Sequence, residues 1–115
     1  MRTFKNQAAQ GDCLLRRITA IPAGAVEQSP DGGAHVVAHS ETGHNHVIEA
    51  DRENVKFYQD PADPLKAYLE VLATDVQLKH LRTHDTHETI AIGPGKYEIR
   101  RQREYQPEGF RRAAD

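Results

Sequence analysis

With 115 residues, 37% of them hydrophobic, no Trp and three Phe, the chain has room for one domain and one modest core of Val, Ile, Leu, Ala and Tyr. A formal charge of -2 lacks the basic excess of a dedicated nucleic-acid protein, and no apolar run approaches the length of a membrane span, so neither nucleic acid nor membrane is an expected partner. A single cysteine, Cys13, excludes an internal disulfide, and nothing at the N-terminus reads as a signal segment, which makes a cytoplasmic location the expectation.

Residues 1–10 have no clear period and read as an N-terminal arm. Cys13 to Ile18 is the first expected strand, with Cys13 a small buried hydrophobe rather than a nucleophile. After Ile21 to Ala25 the cluster Gln28-Ser29-Pro30-Asp31-Gly32-Gly33 predicts an exposed loop, because Pro pre-sets one dihedral and Gly accepts positive φ. Ala34 to His39 follows, with Val36 and Ala38 on one face and His35, Val37 and His39 on the other. His44 to Ala50 resumes an extended pattern, so the pair predicts a hairpin with Gly43 in its turn. Asn54 to Tyr58 is a short strand, closed by the two prolines of Asp60-Pro61-Ala62-Asp63-Pro64.

Leu65 to Ala73 fits two periods. Leu65, Leu69 and Leu72 make a helical stripe after Pro64, yet Leu69, Val71 and Ala73 also alternate with Tyr68, Glu70 and Leu72, and the strand reading is preferred. Val76 to His80 alternates cleanly; Thr89 to Ile92 is compact and is stopped by Gly93-Pro94-Gly95. Lys96 to Tyr105 then predicts a long last strand with Tyr97, Ile99 and Arg101 on one face, and residues 106–115 form a polar, flexible tail. Seven to eight short strands, regular turn signals and no convincing helix predict a single-domain, all-β antiparallel sandwich or small barrel.

The chemistry concentrates in two segments, Thr42-Gly43-His44-Asn45-His46 and Thr83-His84-Asp85-Thr86-His87-Glu88. Residues i and i+2 of a strand project from one face, so His44 and His46 offer two imidazoles together, and His84 and His87 can swing to one side of a turn. Four nitrogens with carboxylates nearby suit Zn, Fe, Mn or Ni, and the candidate metal ligands are therefore His44, His46, His84 and His87. Glu88 and Glu41 are the candidate general bases, while Asp85 is a further nearby oxygen. His35, His39 and His80 read as surface residues. Arg100, Arg101 and Arg103 offer either an anion clamp or a charged edge strand.

His44-Asn45-His46 followed by Glu49, with Ile92-Gly93-Pro94-Gly95-Lys96-Tyr97 entering the last strand, resembles the two stretches typical of cupins. That resemblance implies a jelly-roll barrel with a metal in its interior. The chain departs from the pattern where Lys96, Tyr97 and Glu98 follow Gly95, a place where cupins carry one more histidine, and Glu49 lies closer to His46 than is usual. The chain also resembles a group of short, uncharacterised bacterial and phage proteins that combine Thr-Gly-His-x-His, His-x-x-His, Gly-x-Tyr and Gln-Arg-Glu-Tyr, matched at Thr42 to His46, His84 to His87, Gly95 to Tyr97 and Gln102 to Tyr105. This second resemblance implies no activity.

Three readings follow: a metal-dependent enzyme acting on a small molecule, a non-catalytic protein with a closed structural metal site, and an interaction module without metal. No nucleophile elbow, phosphate loop or dinucleotide fingerprint is present to suggest another chemistry. A thin core and an alternating last strand add the expectation of a homodimer.

Overall fold

A computed structural model of the chain describes residues 2–10, 13–30, 33–38, 46–49, 51, 53–80 and 89–101, with backbone alone at 38 and 80. Ten strands lie among them: β1 (Gln7–Gln10), β2 (Cys13–Ile18), β3 (Val26–Glu27), β4 (Ala34–Ala38), β5 (His46–Glu49), β6 (Val55–Gln59), β7 (Lys66–Val71), β8 (Val76–His80), β9 (Ile90–Ile92) and β10 (Gly95–Arg101). They form two antiparallel sheets, a six-stranded one in the order β1-β2-β10-β7-β6-β3 and a four-stranded one in the order β4-β5-β8-β9. The expected all-β sandwich is the observed fold. Among the described residues no helix is long and apolar enough to cross a membrane.

Eight of the strands are those that alternation predicts; β1 and β3 are additional. β1 does alternate, with Ala8 and Gln10 inward, but a pattern written in Ala and Gln carries no contrast in hydropathy. β3 is two residues long and leaves Val26 51% exposed, so burial marks it no better. The segment expected to be an arm is pinned to both sheets. Arg2 donates its N–H to the Thr89 carbonyl and accepts from Ala91, bridging to Ile90 of the four-stranded sheet, and a few residues later β1 pairs with β2 in the other.

β7 settles the ambiguity at Leu65 to Ala73 in favour of strand. It pairs with β6 on one side and β10 on the other, which satisfies its backbone along both edges. Ala67, Leu69 and Val71 face inward and are buried, whereas Leu72, a member of the alternative helical stripe, is 43% exposed.

Leu15, Leu69, Tyr97 and Ile99 of the larger sheet meet Ile48, Leu78, Ile90 and Ile92 of the smaller one in a single core. Tyr97, with no exposed surface, keeps its hydroxyl paired by donating to the Gly93 carbonyl at 2.7 Å. Phe4 packs against its edge at 5.7 Å and the Arg17 guanidinium lies 4.9 Å from its ring centre. Gly95 takes a positive φ of 149° at the start of β10, a conformation strained for any other residue.

Candidate functional site

β5 presents alternate residues to the core, so His46 and Ile48 point inward while Val47 and Glu49 point out. His46 has no exposed surface. Its Nδ1 lies 2.9 Å from Oε1 of Gln10, a residue of the opposite sheet, and Nε2 of Gln10 donates to the Leu78 carbonyl at 2.9 Å. This small network fixes a tautomer. A carbonyl only accepts, so the amide must turn its NH2 to Leu78 and its oxygen to the imidazole; that oxygen also only accepts, so Nδ1 carries the proton. In the neutral ring the lone pair then resides on Nε2, the arrangement typical of metal-binding histidines oriented by a hydrogen bond to the other nitrogen.

His46 stands in register with Ala38 on one side and with His80 on the other. The end of β4, the start of β5 and the end of β8 thus form one row. Segments 39–45 and 81–88, which hold the remaining candidate ligands, connect to the sheet along that row. His44, His84 and His87, together with Glu41, Glu88 and His39, lie outside the described residues. Among the described residues no group of three His, Cys, Asp or Glu side chains is placed to hold a metal.

Two further sequence expectations divide here. Cys13 is fully buried, as expected, at the first position of β2. His35, expected at the surface, is instead 6% exposed and faces the core beside Phe57, with ring centres 5.4 Å apart. His35 and Val37, two residues apart on β4, share its inward face and are both buried, while Val36 between them is only half-buried. Burial, opposed by the charge of Glu27, lowers the pKa of His35 below its ordinary 6.5.

The arginines separate by face. Arg100 is outward and joins Arg16 and Lys66 around the Glu98 carboxylate, at 3.6, 3.1 and 3.5 Å. Arg101, two residues beyond Ile99, falls on the inward side and lines a cleft of about 260 Å³ with His35, Phe57 and Ala67. Arg103 is outside the described residues.

Gln10 is the functional candidate that the sequence did not signal. Its partner is 36 residues away and on another sheet, and nothing local separates it from Gln7 at the other end of the same short strand. Neither a curated protein nor a solved structure matches the chain. A family model, described as a domain of unknown function (DUF8820), matches residues 9–102, from within β1 to the residue after β10, and the chain belongs to that family.

Proposed function

We propose that the protein binds one divalent transition metal, Zn, Fe, Mn or Ni, through His44, His46, His84 and His87. The observation that carries this reading is the Gln10–His46 hydrogen bond, because it orients the imidazole and assigns its proton to Nδ1, the arrangement that a ligand bonding through Nε2 would require. The row of strand ends that joins both histidine segments supports it, as does the resemblance of His44-Asn45-His46 to the first stretch of cupins. Such a metal would supply Lewis acidity and a bound water acidified toward neutrality. In that case His44, His46 and one or both of His84 and His87 hold the ion, and Glu88 or Glu41 takes up a proton as general base on a small-molecule substrate.

Metal analysis of the purified protein tests the reading. About one metal per chain is expected in the parent and none in the His44→Ala, His46→Ala double variant, since two ligands taken from four leave too few to compete with water. Stoichiometric metal in the double variant overturns it.

The complete burial of His46 favours a second reading, a closed four-histidine site that ties strands together in an interaction protein without catalysis. A chelator that lowers the melting temperature steeply, with no azide response in a cobalt-substituted sample, selects this closed site; weak dependence of stability on metal with an azide response selects the open one. We also infer a cytoplasmic homodimer. Light scattering at micromolar concentration that gives the mass of one chain contradicts the dimer.

A further inference from the structure

The metal reading leaves one buried imidazole unused. His35 is 6% exposed, yet no group among the described residues hydrogen-bonds either of its ring nitrogens. Its ring contact is with Phe57, which offers an apolar surface and neither donor nor acceptor. A buried polar group without a partner is rare in folded proteins and calls for an explanation. Burial also holds the ring below its ordinary pKa, so in neutral solution it is uncharged and carries one N–H and one lone pair.

The opening beside this ring follows from the topology. On one flank of the sandwich the N-terminal segment reaches from β9 of the smaller sheet to β2 of the larger. The opposite flank has no such strap among the described residues: β4 is the edge of its sheet, and β6 is followed only by the two residues of β3. The cleft of about 260 Å³ opens there, with His35 and Val37 on one side and Phe57 and Ala67 on the other. Packed sheets lie roughly 10 Å apart, so the space between them is a slot, and a flat molecule fits it best. An apolar cavity of about 150 Å³ takes benzene, so a cleft of this size holds one aromatic ring with a substituent.

The charges along the lining are committed elsewhere. Lys66 stands on the outer face of β7 against Glu98 at 3.5 Å, and Arg101 has an interaction partner of its own. The NH2 of Gln59 donates to the carbonyls of Asp60, Asp63 and Lys66, and that of Gln28 to the Val26 carbonyl. Among the described lining residues, the polar side chain that is buried and makes no hydrogen bond is His35. The slot therefore offers a ligand apolar surface and one neutral imidazole, the usual make-up of a small-molecule site.

We propose that this cleft binds an uncharged aromatic molecule bearing a hydroxyl, its ring laid against Phe57 and Ala67 and its hydroxyl hydrogen-bonded to His35. A hydroxyl both donates and accepts, so it pairs with whichever ring nitrogen faces the cleft, the N–H or the lone pair. A carboxylate is the poorer ligand, because entering the slot strips its hydration and no uncommitted cation lines the described part of it to offset that loss. His46 does not line the cleft, so the site is distinct from the proposed metal centre and the loss of one leaves the other standing.

Phenol is the probe on the full-length protein, followed through the ring resonances of His35 and Phe57 in NMR, with toluene as the analogue that keeps the shape and lacks the hydroxyl, and benzoate as the charged one. Saturable binding of phenol in the millimolar range is expected, the scale open to a ligand of so few atoms, with intermolecular contacts to both rings. In the His35→Phe variant the affinity for phenol relative to toluene should fall by about three- to tenfold, as for the loss of one neutral hydrogen bond. An unchanged ratio, a non-saturating phenol response, or benzoate binding as tightly as phenol overturns the proposal. If His35→Phe does not fold, the parent protein still decides the matter: saturation by phenol without contacts to the rings of His35 and Phe57 places the ligand elsewhere and overturns it as well.

Discussion

His46 and His35 enter the same core from neighbouring strands of the smaller sheet, and their surroundings differ in one respect. His46 meets Gln10, an amide held in one orientation by the Leu78 carbonyl, whereas His35 meets the ring of Phe57 and no hydrogen-bonding group among the described residues. A polar group whose partner is built into the opposite sheet is oriented before any ligand arrives, and that suits a position where direction matters. A polar group buried without one is held against its own desolvation by the packing around it, and remains available to something that enters from outside.

The largest expected difference comes from removing the partner that only one of them has. Gln10→Ala leaves the Nδ1–H of His46 and the Leu78 carbonyl without this bridge in a sealed interior, and denaturant unfolding should register a loss of about 3 kcal/mol. If His46 is a ligand, the same variant should also hold metal about ten- to a hundredfold more weakly, as expected for removal of an orienting hydrogen bond. Unchanged stability would mean that the amide contributes nothing to the two-sheet core, and the contrast with His35 would collapse.

His35→Phe should behave in the opposite sense. The variant removes an uncompensated polar group and keeps a ring against Phe57, so at pH 7.5 its stability should stay within about 1 kcal/mol of the parent and on the favourable side. A loss of several kcal/mol would reveal an essential polar contact at His35.

pH separates the two states of that ring. Because burial holds His35 below its ordinary 6.5, the unfolded chain binds the proton more readily between the folded value and 6.5. The contribution of the neutral ring is whole above about pH 6.5, declines as the pH falls through that value, and levels off once the folded group has itself titrated. Denaturation of parent and His35→Phe at pH 7.5 and at pH 5 should show the parent losing more stability than the variant. Equal losses would assign the acid sensitivity to other groups.

Arg16→Ala supplies the small end of the scale. Its side chain is 57% exposed and shares Glu98 with Lys66 and Arg100, so loss of this solvent-facing contact should cost about 0.5 kcal/mol or less in the same unfolding assay.

The contrast between the histidines also marks how far the sequence could be read. Eight strands were legible because Val, Ile, Leu and Tyr alternate with polar residues, and Cys13–Ile18 was placed to the residue. Where alternation lacks apolar contrast, as in Gln7-Ala8-Ala9-Gln10, or where a strand is two residues long, nothing local distinguishes strand from connection. The inward direction of His46 was legible from the face it shares with Ile48. That of His35 was not, since Val36 and Val37 make both faces of β4 apolar and nothing local chooses which of them turns inward. Gln10 was invisible for a different reason: its role is assigned by a tertiary contact across the sandwich, which no periodicity encodes.

The placement of β10 has a kinetic consequence. This last strand of the ten lies between β2 and β7, so the N-terminal hairpin of β1 and β2 reaches the rest of its sheet only through a strand some eighty residues later in the chain, as the register Glu98↔Arg16 illustrates. Closing so long a loop before any contact can reward it places the domain among the slow folders, on the millisecond-to-second scale typical of sandwiches. During synthesis the hairpin must wait with its β2 edge unpaired until β10 arrives, and in that interval the same edge is open to a second nascent chain.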